Sequence, residues 1–165
     1  MRSSISFCII LGACGTVTDP VRTAQPYIGL SERHNRSEIR EFVGVDPVRT
    51  EWCAAFVNAV LEVEGIPGSS TVSEHSLMAR SFLRWGESVD PEDIQRGDVV
   101  IFPRGNLGWQ GHVGFYVETQ DGRWVILGGN QYNEVRYDLF KPSRAIAVRR
   151  YVAPNSNTNR ATVDH

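Results

Sequence analysis

Three residues of this chain have side chains suited to acyl-transfer chemistry at an amide: Cys53, His112 and Asn130. A thiolate can attack a carbonyl carbon, an imidazole can move the protons, and a third polar side chain can hold the imidazole in one tautomer. The cysteine comes first, on a predicted helix, and the other two follow on successive predicted strands. This order predicts a nucleophile, a general base and an orienting residue.

Cys53 lies near the start of the strongest predicted helix, over residues 51–64, for which Thr50 is a suitable N-cap. The free backbone N–H groups and the helix dipole favour an anion there, and such thiols can reach a pKa of about 3.5–7.5. The alternative is a small buried hydrophobic residue. Cys8 and Cys14 lie in the first fourteen residues, so Cys53 is the only thiol of the predicted domain and no disulfide can form within it.

Four histidines are available as the base. His165 lies in the C-terminal tail and His34 in a polar, loop-like stretch. His75 falls in the first turn of a predicted helix over residues 73–85, where the dipole disfavours an imidazolium. His112 opens a strand directly after a glycine-rich loop, which favours it as the partner of Cys53, and the alternative is an ordinary edge-strand histidine.

Asn130 follows two glycines at the end of a predicted strand, a position from which its side chain could reach a neighbouring ring. The alternative is that Gly-Gly-Asn only forms a turn. Trp52 and Trp109 flank the predicted cleft and are candidate substrate contacts, although Trp52 could also belong to the core. Gln131 could hydrogen-bond substrate or could belong to the turn.

The sequence indicates one domain with a short additional segment at each end. Arg2, the apolar run 5–13 and the sequence Leu-Gly-Ala-Cys ending at Cys14 are typical of a bacterial secretory leader whose cysteine is lipidated. We therefore predict a leader over 1–14, a tether over 15–26, a domain over 27–152 and a flexible tail over 153–165. This organisation predicts an exported protein of the cell envelope or periplasm, anchored to the membrane through lipid on Cys14.

The predicted elements change type along the chain. Helices are expected over 37–43, 51–64 and 73–85, followed by strands over 98–102, 112–118, 124–127, 134–137 and 145–151. Short connections between these strands predict antiparallel pairing. The expected fold is α+β, with N-terminal helices packed on an antiparallel meander of about five or six strands.

The formal net charge of the chain is -2, from 17 basic and 19 acidic residues. Nucleic-acid binders normally carry a basic face, so this balance argues against DNA and RNA as partners. No cofactor and no metal site is expected, and we predict a monomer.

Four segments resemble those of one superfamily in order and spacing. Residues 50–58 (Thr-Glu-Trp-Cys-Ala-Ala-Phe-Val-Asn), 97–102 (Gly-Asp-Val-Val-Ile-Phe), 111–116 (Gly-His-Val-Gly-Phe-Tyr) and 127–131 (Leu-Gly-Gly-Asn-Gln) are similar to the nucleophile helix and the following strands of NlpC/P60 and CHAP peptidoglycan hydrolases. Residues 27–32 and 76–86 resemble a phage- and bacterium-associated subgroup. The resemblance covers about residues 27–151.

This resemblance implies a papain-like fold and hydrolysis of an amide in the peptide part of peptidoglycan, as an endopeptidase or an N-acetylmuramoyl-L-alanine amidase. It assigns Cys53 as nucleophile, His112 as general base and acid, and Asn130 as orienting residue. Members of the superfamily carry His, Asn or Gln at that third position. The alternatives are an inactive cell-wall-binding or phage structural module of the same fold, and a thiol acyltransferase.

Overall fold

A computed structural model describes residues 18–153; the predicted leader, the lipidation site Cys14 and nearly all of the predicted tail lie outside these residues. The α-helices are α1 (Pro20–Ala24), α2 (Arg36–Val43) and α3 (Cys53–Val63). The strands are β1 (Glu87–Ser88), β2 (Val99–Pro103), β3 (Gly111–Gln120), β4 (Arg123–Gln131), β5 (Glu134–Phe140) and β6 (Ala147–Arg150). Among the described residues, no helix is long and apolar enough to cross a membrane.

The six strands form one sheet in the order β1-β6-β2-β3-β4-β5, and every pair is antiparallel. Strands β2 to β5 form the meander, and β6 returns to pair with the free edge of β2. The predicted α+β fold with N-terminal helices and an antiparallel sheet is confirmed. The short strand β1 is an addition that the sequence pattern did not indicate.

Alternate residues of the strands face two clusters of buried side chains, as the two-residue period of a strand requires. On one face, Val99, Ile101, Val113 and Phe115 belong to the larger cluster, which includes the buried residues of α3, and on the other Val100 and Phe102 join a smaller cluster. Helix α3 is buried on more than one side, since Ala54, Val57 and Leu61 are buried as well as Ala55, Phe56 and Val60. At the end of the helix, Val63 is 64% exposed.

The predicted tether over 15–26 is wrong in its second half. Asp19 caps α1 by accepting a hydrogen bond from the Arg22 N–H at 3.2 Å, and Pro20 occupies the first turn, where its missing N–H costs nothing. Val21 and Ala24 are fully buried in the core beside α3. The packed domain therefore begins before residue 27.

The predicted helix over 73–85 is also wrong. Residues 74–77 form turns, and the segment Ala79–Arg84 is a 3₁₀ helix. The Asn58 side chain, from α3, bonds the Ser69 N–H at 2.7 Å and the Ser76 carbonyl at 3.1 Å. These two hydrogen bonds hold the segment in turns. Its apolar residues therefore do not form one continuous helix, despite their helical spacing.

Candidate active site

Helix α3 begins at Cys53, so the thiol occupies the first helical position. The residue before it, Trp52, takes the N-cap position without a side-chain cap, and the predicted cap Thr50 lies two residues too early. The fully buried Trp52 indole donates to Glu32 Oε1 at 2.7 Å. The prediction of Trp52 as a substrate contact is therefore wrong, and this residue instead fixes the start of the helix beneath the thiol.

The Cys53 thiol is held against the backbone of β3. The backbone N–H groups of Val113 and Ala54 lie near its sulfur and favour the thiolate. Only 2% of the residue is exposed, and burial raises the pKa of the thiol above its ordinary value. The two N–H groups and the positive charge of Arg104 lower the pKa in part, and the negative charge of Glu51 raises it. Cys53 lies at the start of the helix as predicted. The expected fall in the pKa of its thiol is wrong, because desolvation raises this pKa by more than the N–H groups and Arg104 lower it.

His112 is the residue before Val113 and pairs with Phe102 across β2 and β3. Its imidazole stacks on Phe140, with ring centroids 5.8 Å apart and an angle of 12° between the planes. Burial lowers the pKa of His112 to about 4, since a buried imidazolium loses its hydration. The ring is therefore neutral at pH 7 and able to accept a proton.

Gln131 sets the tautomer of this ring. His112 Nε2 lies 3.1 Å from Gln131 Oε1, and the Gln131 amide nitrogen donates to the carbonyl of Ile126 at 3.2 Å and to that of Arg136. The two carbonyls require the amide nitrogen on their side, so the oxygen Oε1 faces the ring. Because an amide oxygen can only accept, Nε2 must carry the proton. The lone pair of a neutral His112 is then on Nδ1.

The predicted orienting role of Asn130 is wrong in this structure, since Gln131 makes that contact. Asn130 Nδ2 instead donates to Glu51 Oε2 at 2.7 Å. The residue has a left-handed backbone, with φ of 57°, and the pairing of β4 with β5 shifts between Gly128 and Gln131. This irregularity brings Gln131 to the imidazole.

The thiol and the imidazole line two neighbouring cavities that share Arg104 and Gly105. The thiol cavity, of about 560 Å³, is lined by Cys53 and by Trp109, which is 58% exposed. The imidazole cavity, of about 300 Å³, is lined by His112 and Gln131. Within residues 18–153 no hydrogen bond joins the Cys53 sulfur to the ring, and His112 is the residue before Val113, whose N–H lies near the sulfur. Catalytic hydrogen bonds are often long before substrate binds.

The sequence analysis did not identify Glu51 and Arg104 as site residues. Arg104 Nη1 lies 2.9 Å from Glu51 Oε2, so the pair spans the start of α3 and the end of β2. Exposed charged residues do not follow the periodic pattern that predicts helices and strands. The proximity of Glu51 and Arg104 depends on the tertiary fold. His34 is exposed in a turn, in line with the predicted loop, and His75 is exposed in a turn instead of the predicted helix. His165 lies outside the described residues.

Two solved structures share this fold. One is an NlpC/P60 family protein from Bacillus cereus ATCC 10987, with a TM-score of 0.51 and 18% identity over 82% of this chain and 40% of that one. The other, from Staphylococcus aureus subsp. aureus Mu50, is described as similar to lipoprotein, NLP/P60 family, with a TM-score of 0.54 and 17% identity over 85% of this chain and 45% of that one. The chain thus spans less than half the length of either structure.

These likenesses confirm the NlpC/P60-type fold that the sequence motifs predicted. No protein-family model and no curated protein sequence matches this chain. The resemblance to CHAP proteins and to a phage-associated subgroup stays a prediction.

Proposed function

We propose that this protein is a cysteine amidase or peptidase that hydrolyses an amide bond in the peptide part of peptidoglycan. The observation that carries the proposal is the position of Cys53 in the first turn of α3, near the backbone of β3 at Val113. The residue before Val113 is His112, whose neutral imidazole has its tautomer fixed by Gln131. The fold shared with NlpC/P60 family proteins supports this choice of reaction class.

The resting site holds a neutral thiol and a neutral imidazole, because burial raises the pKa of Cys53 and lowers that of His112. Deprotonation of the thiol is therefore coupled to attack. As the sulfur bonds to the amide carbonyl carbon, His112 Nδ1 takes the thiol proton. The helix dipole and the Arg104 charge favour the developing thiolate.

The carbonyl oxygen becomes an oxyanion in this step. The backbone N–H groups that begin a helix lack intrahelical partners, and in α3 these include the N–H of Cys53, so they are our proposed oxyanion donors. His112 then gives its proton to the amine nitrogen as the C–N bond breaks, leaving a thioester on Cys53. Water attacks the thioester, its proton passes to His112, and the acid product and the free thiol are released.

The experiment is mass spectrometry of muropeptides released from purified sacculi. The wild type should release fragments carrying a new amine and a new carboxylate, whereas Cys53→Ala and His112→Ala should release none. His75→Ala is the matched control, because His75 is exposed in a turn, and it should match the wild type. Identical fragment profiles for the wild type and Cys53→Ala would reject the hydrolase, and transfer of the acyl group to an added amine would indicate an acyltransferase.

We also propose that the protein is exported and anchored through lipid on Cys14. The leader-like sequence 1–14 supports this, and so does the lipoprotein likeness of the Staphylococcus aureus neighbour. Labelled palmitate should be incorporated into the wild-type protein but not into the Cys14→Ser variant. Equal labelling of the two proteins would remove this proposal.

A further inference from the structure

Arg104 lies where the thiol cavity meets the imidazole cavity. It follows the last residue of β2 and lines both cavities. A substrate amide that reaches Cys53 must therefore pass beside Arg104.

The present partner of Arg104 is a carboxylate of the chain itself. Glu51 Oε2 accepts from Arg104 Nη1 at 2.9 Å and from Asn130 Nδ2 at 2.7 Å. The Glu51 side chain is 73% exposed and that of Arg104 is 43% exposed. Exposed ion pairs contribute little to stability, so Glu51 can leave Arg104 at small cost.

The other charged groups of the two cavities favour an anion once Glu51 has moved. In the thiol cavity, Glu51 and Arg104 are the charged lining groups among the described residues. In the imidazole cavity, Arg104 and Arg144 face Asp138. Without Glu51, the charged groups that line the two cavities are two guanidinium groups and one carboxylate.

We propose that Arg104 recognises a carboxylate adjacent to the scissile amide of the substrate, and that Glu51 occupies Arg104 until the substrate carboxylate replaces it. The proposal rests on the proposed hydrolase function and defines its substrate class as an acidic peptide. A guanidinium presents several donors in a planar fork and binds a carboxylate through two parallel hydrogen bonds. A carboxamide at the same place has no charge and offers only one acceptor oxygen.

The experiment measures binding in a Cys53→Ala background, so that turnover does not consume the ligand. The probes are two synthetic stem peptides that differ only at one glutamate, which carries a free α-carboxylate in one and an α-carboxamide in the other. Calorimetry should give a preference of roughly ten- to a hundredfold for the carboxylate peptide, the range expected for a charge-assisted hydrogen bond.

Four variants on this background separate recognition from folding, with melting temperatures measured for each. Arg104→Gln should abolish the preference, and Arg104→Lys should keep part of it. Glu51→Gln should tighten binding of the carboxylate peptide, because the internal competitor loses its charge. Arg123→Gln, an exposed arginine at the far end of β3 and β4, should retain the full preference.

An unchanged preference in Arg104→Gln would overturn the inference, and so would the absence of any preference while the wild type digests sacculi. A preference that depends on Arg104 in a protein that digests no sacculi would support the recognition site and reject the hydrolase.

Discussion

His112 Nε2 and Gln131 Oε1 lie 3.1 Å apart, and the two backbone carbonyls that hold the Gln131 amide leave only one possible direction for this hydrogen bond. The imidazole therefore donates from Nε2 and keeps the lone pair on Nδ1. The same ring stacks on Phe140, so its position and its tautomer are fixed by different neighbours. In its proposed role as general base, this ring needs no rearrangement of its own before it accepts a proton.

Replacing Gln131 by Ala should lower kcat/KM by about 100-fold, because the imidazole loses the acceptor that fixes it. Steady-state cleavage of a stem peptide measures the effect, with a melting temperature to show that the fold survives. Asn130→Gly is the matched control, since glycine accepts the left-handed backbone and only the side chain is lost. A larger loss in Asn130→Gly than in Gln131→Ala would return the orienting role to Asn130.

The stability of the protein should fall between pH 6.5 and pH 4 through His112. Its pKa in the folded state is about 4 and its ordinary value is 6.5, so in this window the unfolded chain binds a proton that the folded protein does not. Stability therefore rises with pH, and the contribution of His112 at pH 4 is about 3 kcal/mol lower than at pH 7.

Urea unfolding of the wild type and of His112→Gln across this pH range isolates the contribution of this histidine. The difference in unfolding free energy between the two proteins should change by about 3 kcal/mol, because other titrating groups cancel. A pH-independent difference would show that His112 titrates normally in the folded protein.

Alkylation of Cys53 should be slow at neutral pH and accelerate as the pH rises, because burial raises the pKa of the thiol. In a Cys8→Ser and Cys14→Ser background, iodoacetamide reports on this thiol alone. Glu51→Gln removes a charge that raises the pKa and should speed alkylation about two- to threefold, whereas Arg104→Gln should slow it by a similar factor.

Arg123→Gln serves as the charge control in this assay and should leave the rate unchanged, since Arg123 is exposed at the far end of β3 and β4. Alkylation as fast as that of free cysteine at pH 7 would contradict the buried, protonated thiol. Rate changes of the same sign in Glu51→Gln and Arg104→Gln would contradict the electrostatic explanation.

The sequence could predict what depends on periodicity and on order along the chain. The apolar spacing of 51–64 predicted α3, and the alternating runs predicted β2 to β6 with antiparallel pairing. It could not predict the segment 73–85, where bonds from Asn58 replace a helix by turns. Tertiary contacts of this kind override local propensity and have no periodic signature.

The choice between Asn130 and Gln131 shows the same limit at the site. Trp124 and Ile126 belong to the same buried cluster as Phe102, the strand partner of His112, and strict alternation along β4 would continue on that face to Asn130. The irregularity after Gly128 and the left-handed Asn130 break the alternation and bring Gln131 to the ring. Alternation alone therefore selects the wrong neighbour.

The packing beneath Cys53 depends on a glycine in β4. A Cβ added at Gly129 would lie 2.5 Å from Trp52 Cζ3 and 2.7 Å from Phe56 Cβ, both fully buried side chains at the start of α3. Neither ring can move without disturbing the core or the Trp52–Glu32 hydrogen bond. Gly129→Ala should therefore destabilise the protein by about 1–3 kcal/mol, the cost of overpacking a dense core.

Urea unfolding of Gly129→Ala against the wild type measures this cost. Gly108→Ala is the matched control, because a Cβ there would meet no atom within 4 Å, and its unfolding free energy should stay within about 0.5 kcal/mol of the wild type. Because the displaced Trp52 precedes Cys53, Gly129→Ala should also lower the rate of cleavage, while Gly108→Ala should not. Equal stability of the two variants would show that α3 and β4 are packed less closely than the structure places them.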